Sequence, residues 1–125
     1  MEKHLFLSLS DDSWQRAHYA FVVAAGALSI GRSVTLFAGG QSVKALAKDW
    51  SGLSGYIPDA ELALKKVAGF KELRDAVIDL GGELMACQAG VAMTDLLPEM
   101  LEREVSIRGV VTFLEKSQNH QIFSL

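Results

Sequence analysis

The stretch "ELMACQAGVAMTDLL" (Glu83 to Leu97) decides how this chain folds. Its first part, "ELMAC" (Glu83 to Cys87), reads as a strand. A helix-like run of small and apolar residues, Gln88 to Leu97, follows with no turn between them. A strand that passes straight into a helix is half of a βαβ unit, and such units build parallel sheets. The same junction recurs upstream. "HLFLSL" (His4 to Leu9) is a nearly continuous apolar run, as expected of a strand buried on both faces. "SDDS" breaks it. Asp12 with Gln15 fits a capping box that starts a helix. "SVTLFA" (Ser33 to Ala38) is a second strand, stopped by Gly39 and Gly40.

Working outward, Trp14, His18, Phe21, Ala25 and Leu28 share one face of the first helix. Val22, Val23 and Ala24 extend its apolar surface, which predicts burial on two sides. Gly31 is the expected C-cap. "QSVKALAKD" (Gln41 to Asp49) is a short helix, and "WSGLSGYIP" (Trp50 to Pro58) a packed loop. Within it Trp50, Leu53, Tyr56 and Ile57 suit a lid, a subunit contact or ordinary packing. Asp59 caps a helix over Asp59 to Lys66. Leu73, Ala76, Val77 and Leu80 mark an amphipathic helix from Lys71, ended by Gly81 and Gly82. Pro98 opens another short helix. A brief strand, Glu104 to Ile107, a helix over Gly109 to Ser117 with Val110, Phe113 and Leu114 on one side, and a strand, His120 to Leu125, complete the chain. Met85, Met93 and Met100 read as core. The alternation predicts one α/β domain over residues 1–125, a mostly parallel sheet with helices on both faces.

Composition narrows the function. The 125 residues carry a net charge of −3 and a pI near 5.5, with no Lys/Arg stripe, so no nucleic-acid partner is expected. Half the residues are apolar, a surplus that suits a full core or self-association. The most apolar run, Tyr19 to Leu28, is too short for a membrane helix, and the N-terminus does not read as a secretory signal. A lone cysteine closes no internal disulfide, which suits a reducing cytoplasm.

In parallel sheets ligands gather at the carboxyl ends of the strands, near the topological switch point. Three junctions therefore matter: "SLSDDS", "FAGGQ" and "ACQAG". Cys87 stands at the third, where helix N–H groups and the helix dipole would favour thiolate, the nucleophilic form. Cysteine is also among the most buried residue types, so the residues alone leave nucleophile and packed bystander nearly level. A dithiol mechanism needs a second cysteine. A cysteine–histidine mechanism needs a base, and nothing places His4, His18 or His120 beside Cys87. One cysteine and three scattered histidines show no metal-ligand spacing. Asp11 and Asp12 could shape a pocket but serve better as helix caps. "FAGGQS" could cradle an anion, yet lacks both nucleotide-binding glycine patterns.

The order of elements resembles the DsrE/DsrF-like sulfur-relay family, in particular a DsrE-like branch sometimes labelled peroxiredoxin-like. The residues that carry the resemblance are "AHYAFVVAAGALSIGRSVTLFAGGQSVKAL" (Ala17 to Leu46), "GGELMACQAGVAM" (Gly81 to Met93) and "EVSIRGVVTFLEKSQNHQIFSL" (Glu104 to Leu125). The resemblance implies a flavodoxin-related three-layer sandwich and a homo-oligomer, trimer or hexamer. It also implies a cysteine that carries sulfur as a persulfide between donor and acceptor proteins, with no cofactor. That role maps to Cys87. Ala89 and Gly90 depart from the family, where Met and Ser are common. The expected site is then Cys87 as sulfur-bearing nucleophile, the N–H groups of Gln88, Ala89 and Gly90 as anion donors, and Ser10, Asp11, Gly39 and Gly40 lining neighbouring strand ends. The other expectation is an inert oligomeric binding or scaffold module with a small-anion or nucleotide pocket at the same strand ends.

Overall fold

The computed structural model describes residues 3–125. Five parallel strands, β1 (Leu5–Leu9), β2 (Val34–Ala38), β3 (Glu83–Cys87), β4 (Ser106–Arg108) and β5 (Ile122–Ser124), form one sheet in the order β4-β3-β2-β1-β5. The expected α/β architecture is present. Strand alternation divides the sheet into two faces. Leu5, Leu7, Leu9, Val34, Leu36, Ala38, Leu84 and Ala86 point to one face and join the main core. Phe6, Phe37 and Met85 point to the other and pack under Phe113.

The two faces are covered unequally. Helices α1 (Trp14–Ser29) and α3 (Phe70–Asp79) lie together on the first, with Phe21 and Phe70 edge to face at 5.3 Å. The second has a single seven-residue helix, α5 (Val110–Lys116), whose Phe113 stacks on Phe37 at 4.9 Å. Only Phe113 of α5 is buried; Val110 and Leu114, expected beside it, are about half exposed. The helix is too short to cover the sheet with more than one side chain per turn.

Glycine ends two helices as expected. Gly31 and Gly81 both take φ +87°, one position beyond the C-caps Ile30 and Leu80. The next N–H folds back in each case, Arg32 to the Ala27 carbonyl and Gly82 to the Val77 carbonyl, at 3.0 and 2.8 Å.

Several local expectations are corrected. Ser13, not Asp12, caps α1, its hydroxyl accepting from the Arg16 N–H at 3.1 Å. Helix α1 buries Trp14, Ala17, Ala20, Phe21, Ala24 and Ala27, a stripe of small residues that lets it sit close to the sheet. His18, Ala25 and Leu28 lie at its margin, and Tyr19 and Val22 face outward, so the helix is buried on one side only. The segment after Gly39 is a 3-10 helix, Gly40–Leu46, not an α-helix to Asp49. Helix α2 (Asp59–Leu64) is capped by Pro58; Asp59 instead accepts from the Phe70 and Lys71 N–H groups and so caps α3 across sequence. Helix α4 (Gln88–Met93) stops short of Leu97, and Pro98 opens a 3-10 turn, Pro98–Met100. Met93 and Met100 are exposed, leaving Met85 as the core methionine of the three. In the 50–58 loop, Leu53 is buried and Trp50 and Ile57 join the main core.

Arg74 of α3 is 1% exposed, in the middle of this packing. Its guanidinium donates to the Ala45 and Ala47 carbonyls at 2.9 and 2.7 Å and to Glu102 at 2.8 Å, and lies 5.0 Å from the Trp50 ring. Burial pushes the Arg74 pKa down, with the Glu102 charge opposing it. No helix among the described residues is long and apolar enough to cross a membrane.

Candidate functional site

Strands β1, β2, β3 and β4 all end on one edge, and each passes into its next element there without a wide loop. The junctions touch through backbone. A Cβ on Gly40, which has φ +51°, would lie 2.8 Å from the Ser10 carbonyl oxygen, and one on Gly90 would meet the Gly40 backbone. Ser10, Gly40 and Gly90 thus form a row across the first three strand ends. Only glycine permits the row at its second and third positions. Gly39 continues the same contact, its N–H donating to the Leu9 carbonyl at 2.9 Å.

Cys87 closes β3 and is the N-cap of α4, with extended backbone (φ −66°, ψ 128°). Its thiol is free, and the residue as a whole is partly buried. The side chain lies on the α5 face of the sheet, packed against the Phe6, Phe37, Met85 and Phe113 cluster. Gln88, Ala89 and Gly90 are the first turn of α4, whose N–H groups have no acceptor within the helix. Gln88 and Ala89 are exposed, and Gly90 is buried against Gly40 and Val43. The missing side chain of Gly90 is therefore accounted for by packing.

The other expected residues are placed less directly. Asp11 is exposed and turned toward α1: it accepts from the Ser13 N–H at 3.0 Å and pairs with Arg16. Asp12 lies 3.7 Å from Lys44. Ser10, Gly39 and Gly40 border β3 through the row just described. The topological switch point falls between β1 and β5, because the chain steps outward from β1 to β4 and then returns to the other side of β1. Cys87 stands on the carboxyl edge but two strands from that point.

Arg108 escapes the sequence reading. The β3–β4 register pairs Cys87 with Arg108, so both side chains leave the same face of neighbouring strands. The Arg108 guanidinium is exposed and donates to the Ile107 carbonyl at 3.1 Å. Gln88 leans the same way, its Oε1 3.4 Å from where a Gly109 Cβ would stand. The signal was present: "SIRG" is a fourth strand-to-helix junction, equivalent to "ACQ". The three histidines lie away from the thiol. His18 bonds to the Ala68 carbonyl, and His4 and His120 sit at the opposite edge of the sheet.

No family model matches the chain, and no curated protein matches it. Several solved structures share its fold, among them two that span this chain. One is a protein of unknown function, MTH1491, from Methanobacterium thermoautotrophicum, with TM-score 0.73 and 10% identity, over 99% of this chain and 100% of that one. The other is the ychN protein from E. coli, with TM-score 0.66 and 13% identity over the full length of both chains. The latter has the DsrE-like fold, so the resemblance holds at the level of fold.

Proposed function

We propose that this chain is a cytoplasmic sulfur-relay protein of DsrE-like kind, with Cys87 as the sulfur carrier. The observation that supports this most is the pairing of a free cysteine, only partly buried, at the head of α4 with Arg108 beside it on β4. A sulfane-sulfur donor is an anion or leaves as one, and a neighbouring guanidinium attracts it. The Cys87 thiolate attacks the outer sulfur of the donor persulfide. A new S–S bond forms on Cys87, the donor S–S bond breaks, and the donor leaves as a thiolate. The acceptor thiolate repeats the displacement in the next step, so no net oxidation occurs and no cofactor is needed. With a single cysteine, no second thiol of the same chain can discharge the persulfide as a disulfide. The N–H groups of Gln88 and Ala89, in the exposed first turn of α4, steady the terminal-sulfur anion.

The relay runs through donor and acceptor proteins, and the chain works as a homo-oligomer, a trimer or hexamer. Exposed Tyr19, Val22, Ile30 and Phe123 support self-association. The test is intact mass after incubation of the reduced protein with a sulfane-sulfur donor. Gain of one sulfur atom, absent in Cys87→Ser, is the expected result. No gain, where a control thiol protein does gain it, removes the proposal.

One observation favours the other reading, an inert binding or scaffold module with an anion or nucleotide pocket at the strand ends. Cys87 packs against the apolar cluster under α5, as a small hydrophobe would. Thiol labelling at pH 7 separates the two. Labelling that is slow in the native protein and fast only after unfolding belongs to the bystander.

A further inference from the structure

The opposite, amino-terminal edge of the sheet holds a cleft of about 560 Å³ between the starts of β1, β2 and β5. Lys3, His4, Arg32, Asn119, His120 and Gln121 line it together with Phe123, and among the described residues no carboxylate does. This concentration of positive charge occurs in a chain whose net charge is −3. It is not explained by helix capping. The last carbonyls of α1 already accept from the N–H groups of Ile30, Gly31 and Arg32. The Arg32 side chain turns instead to the residues just before β1, its Nε donating to the Lys3 carbonyl at 3.1 Å.

The histidines are oriented by their partners. Asn119 takes φ 66°, and the turn it makes brings His120 Nδ1 to within 2.9 Å of the Gln118 carbonyl. A carbonyl only accepts, so Nδ1 is the donor of that pair. His4 stacks on Phe6 at 4.2 Å, with the His120 ring 6.2 Å away. Its Nε2 lies 2.7 Å from the Thr35 hydroxyl, which donates to Glu83 at 3.0 Å, so His4 Nε2 is the donor of that pair. Lys116 donates to the other Glu83 oxygen at 2.7 Å. Thr35 therefore links His4 to Glu83, while Lys3, Arg32 and His120 share the cleft lining with His4.

We propose that this cleft is an anion-binding site for a compact oxyanion of two or more charges, such as a phosphate ester or diphosphate carries. Arg32 and Lys3 supply fixed charge, and Asn119, His120 and Gln121 add polar groups to the same lining. The site is distinct from Cys87, which lies at the other end of β3.

Calorimetric titration with inorganic pyrophosphate at pH 7 and constant ionic strength tests this. The expected result is saturable binding, with the ring signals of His4 and His120 moving in NMR spectra and that of His18 still. Arg32→Gln and His120→Gln each weaken it about tenfold; Arg32→Lys and Cys87→Ser retain it. Orthophosphate in a second titration tells a monoester from a diphosphate as the preferred class. Absence of saturation, or binding unchanged in Arg32→Gln, overturns the proposal.

Discussion

Gly90 stands so close to Gly40 that a Cβ built on it would lie 2.6 Å from the Gly40 carbonyl oxygen and 2.8 Å from a Val43 methyl. The nearer atom is backbone and cannot rotate away. Gly90→Ala must therefore push α4 off the 3-10 helix, at a cost of about 1–3 kcal/mol. Gly26 is the control, on the exposed side of α1 with nothing within 4 Å of its notional Cβ. Gly26→Ala should stabilise by roughly 0.5–1 kcal/mol through helix propensity. Urea unfolding of the two variants checks both signs, and destabilisation by Gly26→Ala would show that α1 is covered there.

Arg74 is held by two carbonyls and one carboxylate, and it links α3 to the segments around Ala45–Ala47 and Glu102. Arg74→Ala leaves those acceptors unpaired and a cavity beneath Trp50, a loss of about 3–5 kcal/mol. Arg74→Lys keeps the charge but not the fork, so it should fall between wild type and Arg74→Ala in chemical denaturation. A neutral Arg74→Ala would mean that the segments close up without it.

These two residues show what the sequence disclosed and what it hid. Strand order of appearance, the Gly31 and Gly81 stops and the placement of Cys87 at a strand end follow from local pattern, and they are legible. Arg74 is not: on a helical wheel it is one more charge on an amphipathic helix, and only the long-range acceptors at Ala45 and Ala47 explain its burial. Asp59 fails for the same reason, since the N–H groups it caps are more than ten residues downstream. Arg108 became visible only through register, because pairing of β3 with β4 is what sets it beside Cys87. The phase of α1 is hidden in the sequence because Trp14, His18 and Phe21 outweigh the alanines that make its contact stripe.

Glu83 gives a pH prediction. Burial alone would raise its pKa, but the hydrogen bonds from Lys116 and Thr35, with the charges of Lys116 and His4, more than offset it and hold the carboxyl below its usual value of 4.5. A carboxyl lowered on folding stabilises the protein above its unfolded pKa and loses that contribution as pH falls through the lowered folded value. Wild type should therefore exceed Glu83→Gln in stability at pH 7, and the gap should close on acidification below about pH 4.3. Thermal melts across pH 7 to 3 read the difference. A gap that persists unchanged at pH 3 would assign the effect to shape, not charge.

Arg108 beside Cys87 makes a prediction about charge alone. An anionic aryl disulfide and neutral iodoacetamide both report on the same thiol, but only the first is drawn by a guanidinium. Arg108→Gln should slow the anionic reagent several-fold at low salt and leave iodoacetamide within about twofold. Raising the salt to about 1 M, where the screening length falls to roughly 3 Å, should remove most of the difference in wild type. Equal slowing of both reagents would mean that Arg108 shapes access to Cys87 through packing. Because the reagents need no sulfur donor, the outcome stands whether or not Cys87 carries a persulfide. A positive result would place an anion-attracting charge at the thiol, as an incoming sulfane-sulfur donor requires.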